Sequence, residues 1–139
     1  MNSIKQEVRI KGTVGKAYEA LTQQRGYRGW WNAAGEIAEK VGGEAKLHFV
    51  KDGQPVNMRF RIDEMKQDET VGWTCVGHDM PSWVGTTLRW RLKAQGDEVL
   101  VSFEHAGWKD AAPDAVAQGW TYFLGSLKSY VETGTGQPW

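Results

Sequence analysis

The run TTLRWRLKAQGDEVLVSFEH, residues 86–105, followed by DAVAQGWTYFLGSLKSYV, residues 114–131, decides the fold. In the first run Thr86, Leu88, Trp90 and Leu92 alternate with Thr87, Arg89, Arg91 and Lys93. Beyond a Gly96-Asp97 turn, Val99, Val101, Phe103 and His105 alternate with Leu100, Ser102 and Glu104. Two stretches of period two joined by a short polar turn predict a hairpin with one apolar face. In the second run Val116, Trp120, Phe123, Leu127, Tyr130 and Val131 recur at spacings of three and four, which predicts a helix with one apolar face. Each element needs the other as cover.

Working outward, Ile4, Gln6, Val8 and Ile10 alternate with Lys5, Glu7, Arg9 and Lys11, a half-buried strand with a charged outer side. Thr13 is placed to cap a helix in which Val14, Ala17, Tyr18 and Leu21 share a face, and a second short helical turn carries Tyr27, Trp30 and Trp31. Glycines 35, 42 and 43 bound strands over about residues 36–40 and 44–50, and Asp52-Gly53 turns the chain into a longer strand. There Val56, Met58, Phe60 and Ile62 face opposite to Asn57, Arg59, Arg61 and Asp63. A further strand carries Val71, Trp73 and Cys75, followed by a loop through Gly77-His78-Asp79-Met80-Pro81. Short polar turns favour an antiparallel meander, so the class is α+β, with a single domain over residues 1–139.

Seventeen Lys and Arg residues balance seventeen Asp and Glu. Without a concentrated positive field, neither nucleic acid nor an anionic membrane is expected as a partner. The outer-face residues Arg59, Arg61, Arg89, Arg91 and Lys93 are matched by Glu7, Asp63 and Glu104, a solvated ladder of opposite charges. A single cysteine, Cys75, excludes an internal disulfide, and no apolar run has the length of a signal or membrane segment, so a cytoplasmic location is expected.

The same pattern predicts a cavity. A strongly twisted sheet curls, and a helix of about eighteen residues is roughly 27 Å long, so a straight rod meets the concave face closely over only part of its length. Inward residues Met58, Phe60, Trp73, Leu88, Trp90 and Phe103 face Trp120, Phe123 and Leu127 across that gap, with Cys75, Thr86, His105 and the indole N–H groups as polar tips. An apolar lining with a few polar groups is the character of a small-molecule site. Eight tryptophans also serve a core, since each buries on the order of 150–250 Å².

His48, His78 and His105 form no close pair, so neither a metal nor another cofactor is expected. By strand parity His48 points outward. His105 shares a face with Phe103, where it is a candidate general base, a ligand donor or a satisfied core histidine. His78-Asp79 stands near the expected mouth, and Cys75 faces the core as an unreactive thiol. No nucleophile elbow, phosphate loop or dinucleotide fingerprint is present.

The segments Arg28-Gly29-Trp30-Trp31, Val41-Gly42-Gly43-Glu44, Val71-Gly72-Trp73-Thr74-Cys75, Trp83-Val84-Gly85-Thr86 and Phe103-Glu104-His105-Ala106-Gly107-Trp108 resemble the START-like or SRPBCC superfamily. More narrowly, with residues 119–130 and 134–139, they resemble the branch related to the C-terminal domain of the activator of heat-shock protein 90 ATPase. The resemblance covers nearly the whole chain. It implies a helix-grip fold: about seven antiparallel strands wrapped around the C-terminal helix, two short helices near the N-terminus, and Trp30 and Trp31 near the mouth or floor of the cavity. It supplies no catalytic residue. Three functions remain: binding of an apolar or aromatic small molecule or lipid, a cyclase- or hydrolase-like reaction through His105, and a co-chaperone-like module with a chaperone or stress-response partner.

Overall fold

Residues 2–139 are described by a computed structural model. Alternation, caps and turns set the elements in the order β1 (Ser3–Lys11), α1 (Val14–Ala20), α2 (Gln24–Trp30), β2 (Glu36–Ile37), β3 (Glu44–Lys51), β4 (Gln54–Lys66), β5 (Thr70–His78), a 3-10 turn (Pro81–Trp83), β6 (Thr87–Gln95), β7 (Glu98–Ala106) and α3 (Asp114–Thr133). The strands form one antiparallel sheet in the order β1-β7-β6-β5-β4-β3-β2, curved around α3. This is the helix-grip arrangement. Thr13 caps α1 by accepting the Lys16 N–H at 3.2 Å, and Asp52 and Gly53 both take positive φ, 52° and 77°, in the β3–β4 turn.

Three boundaries differ from the sequence expectation, each for a local reason. α3 runs on to Thr133 and stops where Gly134 adopts φ 84° and its N–H returns to the Tyr130 carbonyl at 2.8 Å. β2 covers only Glu36 and Ile37, because Ala38 N–H bonds back to Glu44 and the chain turns at Gly42 with φ 86°. β5 extends through His78, which pairs with Met58 after a register shift between Arg59 and Phe60.

The concave side holds one continuous aromatic core. Trp30 and Trp31 stack with centroids 5.6 Å apart; Trp31 contacts Trp73 at 5.8 Å and Trp120 at 5.1 Å, and Trp120 meets Phe103 at 4.2 Å. Tyr27, Phe60, Trp73 and Trp90 complete it, all buried. α2 reaches this core by passing close to α3 at Gly29, where a Cβ would lie 2.3 Å from the Tyr130 ring. Any larger residue there has to push the Tyr130 ring aside.

β1 is an edge strand, and α3 covers its free side with polar side chains. Lys128 Nζ donates to the Arg9 carbonyl at 2.7 Å, the Glu132 carboxylate accepts the Lys11 N–H at 2.8 Å, and the two side chains pair at 2.8 Å. Among the described residues no helix is long and apolar enough to cross a membrane.

Candidate functional site

Where ring packing stops, an apolar cleft of about 280 Å³ stays open between the first half of α3 and the ends of β3, β4 and β5. Helix spacing brings Val116, Gly119, Trp120 and Phe123 to one wall, and strand parity brings Phe49, Val56, Met58 and His78 to the other. Met80 and Trp83 close one end, Trp31 borders the core side, and Tyr122, Trp139 and Lys51 stand at the rim. The volume is near the lower end of small-molecule sites, roughly 300–1,000 Å³. Gly119 leaves its share of the wall bare: a Cβ there would meet nothing within 4 Å.

Trp139 reaches the rim because the segment after α3 is pinned. Ser126 Oγ donates to the Trp30 carbonyl at 2.7 Å and accepts the Gln137 N–H at 2.6 Å, while Trp139 N–H reaches the Trp31 carbonyl at 3.0 Å. Asn32, fully buried, donates to the Trp139 carbonyl at 3.0 Å and exchanges two hydrogen bonds with the His48 backbone at 2.7 and 2.9 Å.

Behind the cleft a hydrogen-bond chain joins helix to turn. Trp120 Nε1–H donates to His105 Nδ1 at 3.1 Å, which leaves the proton on Nε2; Nε2–H then donates to Thr86 Oγ1 at 2.9 Å, and Thr86 donates to the Trp83 carbonyl at 2.6 Å. Every member is satisfied. Burial, with a smaller push from His78, lowers the His105 pKa to about 3, so the ring is neutral and has no nitrogen free for a substrate. His78 is lowered to about 4, again by burial, against an opposing pull from Asp79. Its Nδ1 accepts the Met80 N–H at 2.8 Å, and its ring stacks on Trp83 at 4.3 Å.

The fourteen residues singled out in the sequence therefore separate. Trp31, Met58, Trp120 and Phe123 line the cleft. Trp30, Phe60, Trp73, Leu88, Trp90, Phe103 and Leu127 lie in the packed core, where their neighbours are each other's side chains. Trp30 Nε1–H is held by the Ala20 carbonyl at 2.8 Å. Cys75 is buried with its thiol against the Gly77 carbonyl, and burial pushes its pKa up to about 11. Thr86 and His105 belong to the chain behind the cleft. Sequence reasoning did not place Phe49, Met80, Trp83, Gly119, Tyr122 and Trp139 in the lining of this cleft. Parity put Phe49 on the inner face and could have found it, whereas Trp139 arrives only through the pinned tail. Among the described residues no group of three or more His, Cys, Asp or Glu side chains could hold a metal ion.

The family model for Activator of Hsp90 ATPase homolog 1-like protein matches residues 11–132. The solution structure of the Aha1 dimer from Colwellia psychrerythraea is 30% identical, with a TM-score of 0.84 over 98% of this chain and 100% of that one. The crystal structure of protein CV1439 from Chromobacterium violaceum is 22% identical, with a TM-score of 0.82 over 94% of this chain and 97% of that one. CalU16 from Micromonospora echinospora, 19% identical with a TM-score of 0.75 over 97% of this chain and 76% of that one, shares the fold. A search of curated proteins finds no match. With a model match over most of its length and a relative aligned nearly end to end, the chain belongs to the Activator of Hsp90 ATPase homolog 1-like protein family.

Proposed function

We propose that this protein binds a small apolar or aromatic molecule in the cleft between α3 and the ends of β3–β5. The observation that carries the reading is an open, mostly apolar volume in a fold whose other inward aromatic positions are filled by ring packing. Reaction chemistry through His105 has little support, because both ring nitrogens are engaged by the protein. Gly119→Leu tests the reading: the new side chain enters empty space, so the variant should fold with an unchanged or higher Tm and lose the Tm increase that hydrophobic ligands give the parent chain. Gly125→Ala, on the exposed side of the same helix, should retain that response. Ligand-induced shifts that survive in Gly119→Leu would place binding elsewhere.

A second reading is an interaction module. Met80, Tyr122 and Trp139 line the cleft yet are each more than 40% exposed, at 48%, 43% and 49%, an apolar rim suited to a protein surface. The Colwellia structure is that of an Aha1 dimer, which makes a second copy one partner to test by sedimentation.

A further inference from the structure

The cleft is apolar except for Lys51 at its rim and the end closed by His78 and Trp83. The His78 ring accepts the Met80 N–H on Nδ1 and is neutral, so its remaining proton sits on Nε2. That N–H is buried and has no protein partner, and the same is true of Trp83 Nε1–H. Two other buried indole N–H groups lack a partner, those of Trp90 and Trp108, and neither ring lines the cleft. The His78 and Trp83 rings both border the cleft, stacked 18° from parallel, and their unpartnered N–H groups are buried behind its surface.

Their positions are fixed rather than adaptable. The Trp83 carbonyl is tied to Thr86, and through it to His105 and Trp120, while the indole packs edge-on to His105 at 4.8 Å and Trp108 at 5.7 Å. A buried donor without an acceptor is unfavourable in a folded protein, and one that stands at a binding site gains most when a ligand supplies the missing acceptor. Met80, 48% exposed, lines the same end of the cleft, and a ligand reaching these donors has to displace side chains there.

Building on the binding function proposed above, we infer that the ligand carries a neutral oxygen acceptor, of the ketone or quinone class, on an apolar ring skeleton, and that His78 Nε2–H and Trp83 Nε1–H orient it. A carboxylate is the wrong partner for these two donors, because both are uncharged, burying an anion is costly, and the Asp79 carboxylate already acts on His78.

The test uses three probes of one skeleton, naphthalene, 2-acetylnaphthalene and 2-naphthoate, measured on the full chain by equilibrium dialysis. The ketone should bind about tenfold tighter than naphthalene, the yield of one to two net hydrogen bonds. Read as the ratio of the ketone and naphthalene Kd values within each variant, that preference should fall in His78→Leu and in Trp83→Phe, and persist in His78→Gln, whose amide keeps a donor. Circular dichroism identifies any variant that fails to fold, and the remaining two still decide the question. Equal binding of naphthalene and ketone, or tightest binding of the carboxylate, overturns the inference while leaving the cleft a binding site. Absence of binding by all three probes overturns both.

Discussion

His78 and His105 are held neutral by burial, with folded pKa values lowered to about 4 and about 3. In the unfolded chain each titrates near 6.5. Between roughly pH 6.5 and pH 4 the unfolded state therefore binds more protons than the folded one, and stability falls as pH falls. Each histidine contributes up to about 1.4 kcal/mol per pH unit within that window. Urea unfolding at pH 6.5, 5.8 and 5.0 should show this loss, and His78→Leu should remove about half of the slope; a flat profile would mean that the rings reach water. The inward direction of His105 could be read from strand parity. Its role could not, because Trp120 and Thr86 lie fifteen and nineteen residues away, and only the closed fold shows that they occupy both ring nitrogens.

The period of the sequence specified α3 and the β6–β7 hairpin almost to the residue, since long repeats of one spacing leave no competing structure. The short edge β2 and the bulged β4 were read less well, because a turn closed by backbone bonds and a register shift leave no mark on hydrophobic periodicity. β1 is a free edge of the sheet, and besides its own charged side chains it is covered by a device on α3. Lys128 and Glu132 engage the backbone of Arg9 and Lys11 as a neighbouring strand would. The hydrogen bond from Lys11 and then the one from Lys128 hold the Glu132 carboxyl below its usual range, so this clamp is present above ordinary carboxylate pKa values and weakens as pH falls through the lowered one. The double substitution Lys128→Ala, Glu132→Ala should free the edge, and sedimentation should show mass rising with concentration more steeply than in the parent chain. Identical sedimentation of the two would assign edge protection to the β1 charges alone.

At the scale of the molecule, the sequence announced a concave aromatic interior but not which rings would border open space. Strand parity turns Phe49, Phe60, Trp73, Trp90 and Phe103 inward alike; the position of the cleft depends on where α3 diverges from the sheet and where the tail returns. Gly136 governs that return, since a Cβ there would lie 2.5 Å from the Gly29 carbonyl and 2.9 Å from Ser126 Oγ. Gly136→Ala should displace the tail, leave Asn32 without the Trp139 carbonyl, and destabilise the fold by about 1–3 kcal/mol in urea unfolding, the range for a buried group that loses its partner. An unchanged midpoint would show that the tail is not fastened to the fold. The indoles of Trp30, Trp31, Trp73, Trp90 and Trp120 lie within 6.5 Å of one another along a connected path. Chromophores that close exchange electronic excitation before they emit, so light absorbed deep in the sheet can migrate to Trp31 and Trp120 at the cleft wall. The interior therefore acts as an antenna, and a quencher seated beside those two rings would darken chromophores it never touches.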